Sequence, residues 1–148
     1  MGALALPKQG LVYLDANSII YAVELIEPYQ TILRPLWEGA RTGVLSVATS
    51  DLTLLEILVK PLKIGNKGLE ADCRALLDSP DVRLISISHA VLEHAASLRA
   101  TTSVKTPDAI HAATALIAGC ELFVTNDSAF KKIPGLPVAL LSEIILSP

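Results

Sequence analysis

The sequence has few cysteines, few aromatic residues and no long uninterrupted apolar segment. Its two cysteines, Cys73 and Cys120, stand apart without the spacing of a metal site, so we expect reduced, partly buried thiols. No apolar run approaches the ~20 residues that a membrane-spanning helix requires. These absences argue against disulfide-rich, zinc-binding and membrane proteins, and we expect a cytoplasmic protein.

The composition is that of a folded protein. Apolar residues make up 51% of the 148 residues and charged residues only 18%, which excludes a disordered chain. The length suits one domain with a proper core. We expect a short N-terminal extension over residues 1–10 and a single domain over residues 11–148.

Short apolar runs alternate with helical patterns along the whole chain. Continuous apolar runs of this length indicate strands covered on both faces, and five are predicted, at residues 11–14, 44–48, 82–87, 121–124 and 138–141. The segments between them predict helices, with the strongest start at Thr106-Pro107. Residues 60–68 are predicted to be a loop because Pro61 should stop the preceding helix. The alternation predicts an α/β fold with a mainly parallel sheet of about five strands and helices on both faces.

Four acidic residues stand where such a fold would place a functional site. Asp15 and Asp127 follow the first and fourth predicted strands, and ligands of open α/β sheets bind beyond the carboxyl ends of strands. Asp108 lies in the first turn of the helix that Thr106-Pro107 opens, and Glu56 lies within an apolar helical segment.

Each acid also has an ordinary structural explanation. Asp15 and Asp127 can cap the helices that follow them. Asp108 can interact favourably with the positive N-terminal end of its helix dipole. Glu56 is the least expected, because a carboxylate within an apolar segment needs a partner, and Lys60 is the only local candidate. Ser50 or Asp51 is expected to cap the same helix, and Asp51 is interpreted as a cap rather than as the site acid.

If the four acids meet, they need a cation or a proton. Two like charges ~4 Å apart repel by ~4 kcal/mol at an effective dielectric constant near 20. Carboxylate oxygens suit a hard divalent ion, Mg²⁺ or Mn²⁺. Such an ion can activate water and neutralise phosphate charge.

Four segments together resemble one known family. They are VYLDANSIIY at 12–21, TSDLTLLEILVKPLK at 49–63, KTPDAIHAATALIAGCELFVTND at 105–127 and AFKKIPGLPV at 129–138. In order and spacing they resemble the PIN-domain nucleases, most closely the toxin ribonucleases of VapBC-type toxin–antitoxin pairs. The resemblance implies a three-layer PIN-like fold and a divalent-metal-dependent endonuclease that cleaves RNA.

The resemblance also implies roles for individual residues. Asp15, Glu56, Asp108 and Asp127 match the four acids of the family, with Asp15, Asp108 and Asp127 as metal ligands. Supporting positions are matched by Asn17, Thr125 and Asn126. The toxins it resembles are usually homodimers neutralised by a small antitoxin, which implies both kinds of partner here.

Several other residues carry open alternatives. Lys60, Lys63 and Lys67 are candidate RNA contacts or simply solvated surface. His111, three residues after Asp108, is expected to be packed and hydrogen-bonded rather than a ligand. The net charge of −3 does not exclude an RNA substrate. The four candidate acids carry more negative charge than that total, so the rest of the chain is weakly positive.

Three other functions are weighed against the toxin ribonuclease. The first is a non-catalytic PIN module that binds RNA or protein, and the second is a housekeeping RNA-processing nuclease. The third is a phosphohydrolase with a nucleophilic aspartate, which is disfavoured because Asn17 stands where that class has a second Asp.

Overall fold

A computed structural model describes residues 2–147 of the chain. Within that range there are five strands, seven α-helices and one short 3-10 helix. In chain order they are β1 (Gly10–Leu14), α1 (Ala16–Val23), α2 (Tyr29–Thr42), β2 (Leu45–Ser50), α3 (Asp51–Ile64), α4 (Lys67–Asp78), β3 (Val82–Ile85), α5 (His89–Thr101), α6 (Thr106–Ala118), β4 (Leu122–Thr125), the 3-10 helix (Ser128–Lys132), β5 (Val138–Leu140) and α7 (Leu141–Leu146).

The five strands form one parallel sheet in the order β3-β2-β1-β4-β5. The chain therefore runs outward from the central β1 to β3, and then returns to continue on the other side of β1. The order reverses between β1 and β4, and the carboxyl ends of these two strands flank the topological switch point. The predicted α/β fold with a parallel sheet of five strands is confirmed.

Two hydrophobic cores lie on opposite faces of the sheet. On one face, Val12 and Leu14 of β1 pack with buried side chains of α1, α2, α3 and α4. On the other face, Tyr13 of β1 and Phe123 of β4 pack with α5 and α6. Successive side chains of a strand point to opposite faces, so β1 contributes to both cores, and the molecule has the predicted three layers.

The N-terminal segment contacts the end of the chain. The Gly2 backbone N–H donates to the Ile144 carbonyl at 2.9 Å. Leu4 and Leu6 pack against the core on the α1–α4 face. The division into an extension over residues 1–10 and a domain over residues 11–148 stays a prediction.

The predicted loop over residues 60–68 was wrong. Helix α3 continues through Pro61 to Ile64, and α4 begins at Lys67, so only a short turn separates the two helices. Proline removes the N–H that would bond the carbonyl four residues earlier, which here belongs to Ile57. The Cys73 thiol of α4 donates to that carbonyl at 3.7 Å, and this tertiary contact replaces the missing helical hydrogen bond.

Two helix starts are defined by the structure. Ser50, one of the two predicted caps, caps α3, with its hydroxyl accepting from the Leu52 N–H at 3.0 Å. Thr106 is the first residue of α6, and Lys105 occupies the N-cap. None of the helices within residues 2–147 combines the length and the apolar character needed to cross a membrane.

Candidate active site

The sheet places Asp15 and Asp127 side by side in space. Asp15 directly follows β1, and Asp127 lies two residues after the end of β4. These strands are parallel neighbours, with Leu14 paired to Val124. Two acids that are far apart in sequence are therefore brought to the same edge of the sheet.

A cavity of about 70 Å³ opens at this edge. It has room for a few water molecules, since a single water needs roughly 10–15 Å³ measured in the same way. It is lined by Asp15, Ala16, Asn17, Glu56, Asp108, His111, Asp127 and Phe130. All four predicted acids thus line one cavity, which we call the acidic pocket.

Asp15 is a buried carboxylate with hydrogen bonds to both oxygens. Its Oδ1 accepts from the Ser18 N–H at 3.0 Å, and its Oδ2 accepts from the Thr125 hydroxyl at 2.6 Å. Burial raises the pKa of Asp15, while the bonds from Thr125 and Ser18 oppose that rise. Asp15 therefore caps α1 and lines the acidic pocket at the same time.

Asp108 and Asp127 approach the pocket from α6 and from the turn after β4. Asp127 Oδ1 accepts from the Ala129 N–H at 2.9 Å and caps the 3-10 helix. Burial, and next the negative charge of Asp127, raise the pKa of the half-buried Asp108. The pocket therefore disfavours the ionised forms of Asp15 and Asp108 when no cation is bound.

Glu56 has a partner that the sequence did not indicate. Its Oε1 lies 2.5 Å from Nε2 of His111, and the Nδ1 of that ring lies 2.7 Å from the Tyr13 hydroxyl. Lys60, the expected partner, instead pairs with Glu24 at 2.7 Å. The expectation of a packed, hydrogen-bonded His111 is confirmed, and the suggestion of Lys60 as the partner of Glu56 is wrong.

The three supporting residues lie in different surroundings. Thr125 is fully buried, and its hydroxyl donates to Asp15 and accepts from the Asp127 N–H at 3.0 Å. Asn17 is exposed and lines the pocket.

Asn126 is directed toward other elements instead of the pocket. Its amide nitrogen donates to the hydroxyls of Tyr21 at 3.3 Å and Tyr29 at 3.0 Å. Its oxygen accepts from the Ser142 N–H at 3.0 Å. Asn126 thus connects α1, α2 and the start of α7 to the end of β4.

The donor atoms of the acidic pocket suit a hard divalent cation, because all four acids offer carboxylate oxygens. Within residues 2–147, however, no three His, Cys, Asp or Glu side chains are arranged to hold one ion. The chemistry of the pocket therefore fits Mg²⁺ or Mn²⁺.

Sequence reasoning did not anticipate the parts of Tyr13 and Phe130. Phe130 lines the pocket, and Tyr13 bonds the ring that contacts Glu56. The spacing of Asp108 and His111 was the one available signal, because residues three apart share a helix face. Nothing local connects Tyr13 to either of them.

These features define a class of protein: a three-layer α/β domain whose acidic side chains gather at the switch point of a parallel sheet. The family model of the PIN domain matches residues 12–136 of this chain. The chain therefore belongs to the PIN-domain family, and the resemblance seen in the sequence is confirmed.

Several solved structures with the same fold come from toxin–antitoxin systems. VapBC2 from Rickettsia felis, bound to a DNA fragment from its promoter, has 21% identity and a TM-score of 0.71, covering 88% of this chain and 98% of its own. A toxin–antitoxin complex from Klebsiella pneumoniae has 26% identity and a TM-score of 0.66, with coverage of 86% and 95%.

A third similar structure is that of a toxin. VapC20 from Mycobacterium tuberculosis, described as a sarcin–ricin loop cleaving toxin, has 15% identity and a TM-score of 0.65, covering 82% of this chain and 93% of its own. None of the curated proteins matches this chain. At these identities, the likeness to VapBC2 and VapC20 shows the fold.

Proposed function

We propose that this protein is a divalent-metal-dependent endoribonuclease and the toxin of a type II toxin–antitoxin pair. The observation that carries the proposal is the acidic pocket, in which Asp15, Glu56, Asp108 and Asp127 meet from four separate elements. Membership of the PIN-domain family supports it. So does the recurrence of toxin–antitoxin proteins among the structures that share the fold.

The proposal assigns a role to each acid. Asp15, Asp108 and Asp127 would hold Mg²⁺ or Mn²⁺, and Glu56 would orient the attacking water and accept its proton at a carboxylate oxygen. A bound ion would supply a water of lowered pKa and charge neutralisation at the phosphate. Thr125 keeps the Asp15 carboxylate directed at the pocket through its 2.6 Å hydrogen bond.

The test of this proposal is RNA cleavage by the purified chain with Mg²⁺ or Mn²⁺. We expect Asp15→Asn and Asp108→Asn to abolish cleavage of total RNA. Glu56→Gln should lower the rate by about 10²–10⁴-fold, the usual contribution of a general base. Asp72→Asn is the matched control, because Asp72 is an exposed acid on α4 away from the pocket. Undiminished cleavage by both Asp15→Asn and Asp108→Asn would refute the site.

A non-catalytic PIN module is the second candidate function. It is favoured by the spacing of the acids, since no three of the ligand-type side chains in residues 2–147 are arranged to hold one ion. A folded protein that cleaves no RNA with either metal, and whose melting temperature does not respond to Mg²⁺, would establish this alternative. Metal-dependent cleavage would exclude it.

An exposed apolar stripe on α3 supports the proposed antitoxin partner. Leu55, Val59 and Leu62 are 63%, 53% and 57% exposed and recur at helical spacing. Glu56 of the acidic pocket lies on the same helix, so a partner seated on the stripe would reach the pocket. We expect an antitoxin with an apolar face toward α3 and a basic residue toward the carboxylates.

Co-expression with the small protein encoded beside this one tests the partner. We expect the two proteins to co-purify, and Val59→Lys to abolish the complex while RNA cleavage persists. Leu146→Lys is the control, because Leu146 is an exposed leucine on α7. No complex with that neighbour, together with harmless expression of the active chain, would indicate a housekeeping nuclease.

Homodimer formation and a cytoplasmic location complete the proposal. Exposed apolar side chains outside the α3 stripe, such as Leu25, Leu92 and Ile117, are available for a self-contact. Light scattering should give twice the 15.7 kDa of the chain. A monomer at micromolar concentration would contradict this part. The cytoplasm follows from the proposed RNA substrate.

A further inference from the structure

We propose that Tyr13 and His111 are positioning residues, which hold the Glu56 carboxylate at the acidic pocket through one fixed tautomer of the imidazole. This inference rests on the proposed function, because it concerns how Glu56 is kept ready to act on water. It adds two residues from the interior to a site otherwise defined by acids. Neither residue needs to contact the substrate.

The hydrogen bonds connect three elements of the fold. The Tyr13 hydroxyl of β1 lies 2.7 Å from Nδ1 of His111 on α6, and Nε2 of the same ring lies 2.5 Å from Glu56 Oε1 on α3. Tyr13 is fully buried and His111 is 2% exposed, whereas the Glu56 side chain is 30% exposed. The chain of contacts therefore runs from the core to the pocket.

The partners of the ring determine where its proton lies. An ionised carboxylate only accepts hydrogen bonds, so Nε2 must carry a hydrogen toward Glu56. Burial raises the pKa of the Tyr13 phenol, so its hydroxyl keeps its proton. That O–H lies 2.7 Å from Nδ1 and can donate to it when Nδ1 carries no hydrogen. The ring that suits both partners is a neutral imidazole with its hydrogen on Nε2.

Aromatic packing keeps the relay in place. The Tyr13 ring stacks on the Phe123 ring, with ring centroids 5.1 Å apart and an angle of 8° between the planes. The centroids of Phe123 and Phe130 lie 4.7 Å apart. The His111 ring meets the Tyr13 ring edge-on at 5.9 Å. Rings packed in this way do not turn freely, so the two nitrogens of His111 keep their separate partners.

Glu56 needs such a partner because its neighbours in the pocket repel it. Asp15, Asp108 and Asp127 line the same cavity, and a flexible glutamate near them would turn outward to solvent. Lys60 is engaged by Glu24. Among the described residues, the His111 ring is the hydrogen-bond partner that Glu56 has. The relay thus offsets the repulsion without adding a lysine or arginine to the pocket.

The first test reads the tautomer directly in the metal-free protein. Nitrogen NMR of ¹⁵N-histidine-labelled protein should show His111 as the neutral Nε2–H tautomer near pH 7.5. Tyr13→Phe, which removes one oxygen atom, should leave the hydrogen on Nε2 and shift the Nδ1 resonance, because it removes the hydrogen bond to Nδ1. A protonated Nδ1 in the unmodified protein, or an unchanged Nδ1 resonance in Tyr13→Phe, would overturn the proposal.

The second test uses two substitutions that each keep one nitrogen position. The amide of His111→Gln can reach the place of Nε2 and donate to Glu56, whereas the shorter amide of His111→Asn reaches only the place of Nδ1. We expect His111→Asn to lower kcat about 10–100-fold, as loss of a supporting hydrogen bond usually does, with KM nearly unchanged. His111→Gln should retain most of kcat. Equal losses in the two variants would overturn the relay.

A double-mutant cycle separates positioning from loss of folding. In a Glu56→Gln background, His111→Asn should cause no further decrease in kcat, because there is no ionised carboxylate left to position. A full additional decrease would contradict the relay. If His111→Asn does not fold, Tyr13→Phe takes its place in the same cycle, with the melting temperature of each variant measured in parallel.

The outcomes also distinguish this inference from the proposed function. If the unmodified protein cleaves no RNA, the proposed function fails, while the tautomer measured by NMR still decides the relay. If the protein cleaves RNA and Glu56→Gln is impaired, but His111→Asn matches His111→Gln, the relay alone fails.

Discussion

The Asp15 carboxylate caps α1 with one oxygen and lines the acidic pocket. Capping and participation in a site were alternatives when only the sequence was considered, and the structure shows that one side chain can meet both requirements. Asp127 does the same, since it caps the 3-10 helix at the pocket edge. Polar residues after parallel strands are therefore ambiguous by nature, because the helix start and the ligand site occupy the same position.

At the scale of residues, we predict that Asp108→Asn stabilises the metal-free protein. Burial and the charge of Asp127 raise the pKa of Asp108, so its ionised form is disfavoured where it stands. A neutral amide removes that repulsion, and we expect a rise in Tm of about 2–4 °C, or about 1 kcal/mol for a chain of this size. Thermal melts in the presence of a chelator measure the difference.

Magnesium should reverse the order of the Tm values of the unmodified protein and Asp108→Asn. An ion that binds only the folded state raises its stability, so Mg²⁺ should raise the Tm of the unmodified protein more than that of Asp108→Asn. Asp72→Asn, which removes an exposed acid of α4, should respond to Mg²⁺ like the unmodified protein. Identical responses of all three would indicate that Asp108 does not take part in ion binding.

At the scale of elements, helices α3 and α4 are joined through a defect in one of them. Pro61 lies inside α3, and the carbonyl that it leaves without a helical donor is bonded by Cys73 of α4. A proline that ends a helix in isolation can thus be accommodated when a neighbouring helix supplies a donor. Because α3 carries Glu56, this packing also supports the position of the pocket wall.

We predict that Cys73→Ala costs about 1–3 kcal/mol, through a small cavity and an unpaired carbonyl. Pro61→Ala restores the helical N–H donor that the Ile57 carbonyl lacks. Its effect on the free energy of unfolding should therefore be more favourable by about 1 kcal/mol in the Cys73→Ala background than in the unmodified protein. Urea unfolding of the four proteins gives this coupling. Pro35→Ala, at an exposed proline inside α2, should show none.

Asn126 joins three further elements, and its loss should destabilise the fold. We predict that Asn126→Ala lowers the free energy of unfolding by about 1–3 kcal/mol. The variant removes the bonds to Tyr21 and Tyr29 and the cap on Ser142. Urea unfolding checks the value, and the exposed Asn17→Ala should have little effect on it. An equal loss in both variants would contradict the structural role of Asn126.

At the scale of the whole molecule, negative charge is concentrated in the pocket. The four acids there carry more negative charge than the net charge of −3, so the rest of the chain is weakly positive. Lys63 and Lys67 are exposed near the end of α3 and the start of α4, while Lys60 is paired with Glu24. Of the three candidate RNA contacts, Lys60 is engaged by a carboxylate, so we expect Lys63 and Lys67 to be the ones that contact phosphates.

We predict that Lys63→Ala weakens RNA binding and makes it less dependent on salt. Each phosphate contact with single-stranded RNA contributes about 0.7 to the slope of log K against log salt, and the slope should fall by about that amount. Binding is measured in the cleavage-deficient Asp108→Asn background. Lys8→Ala is the control, because Lys8 precedes β1 and so lies at the end of that strand opposite to the acidic pocket. An unchanged slope for Lys63→Ala would assign that lysine to solvated surface.

Much of the fold could be predicted because its signals are local. The apolar runs that became β1 and β4 were followed by Asp15 and by Thr125-Asn126-Asp127, and helix signals such as Thr106-Pro107 lie within a few residues of the elements they start. The prediction failed at Pro61, where a contact from α4 overrides the local preference.

The sequence by itself determined the alternation of strands and helices and the position of acids after strands. In a parallel sheet all carboxyl ends lie at one edge, so that pattern is enough to predict a common site. Only the tertiary structure decided which partner each acid takes. The bond from His111 to Glu56 spans 55 positions, and the bond from Tyr13 to His111 spans 98. Such partners are selected by how helices pack on the sheet, and no local pattern of residues records that packing.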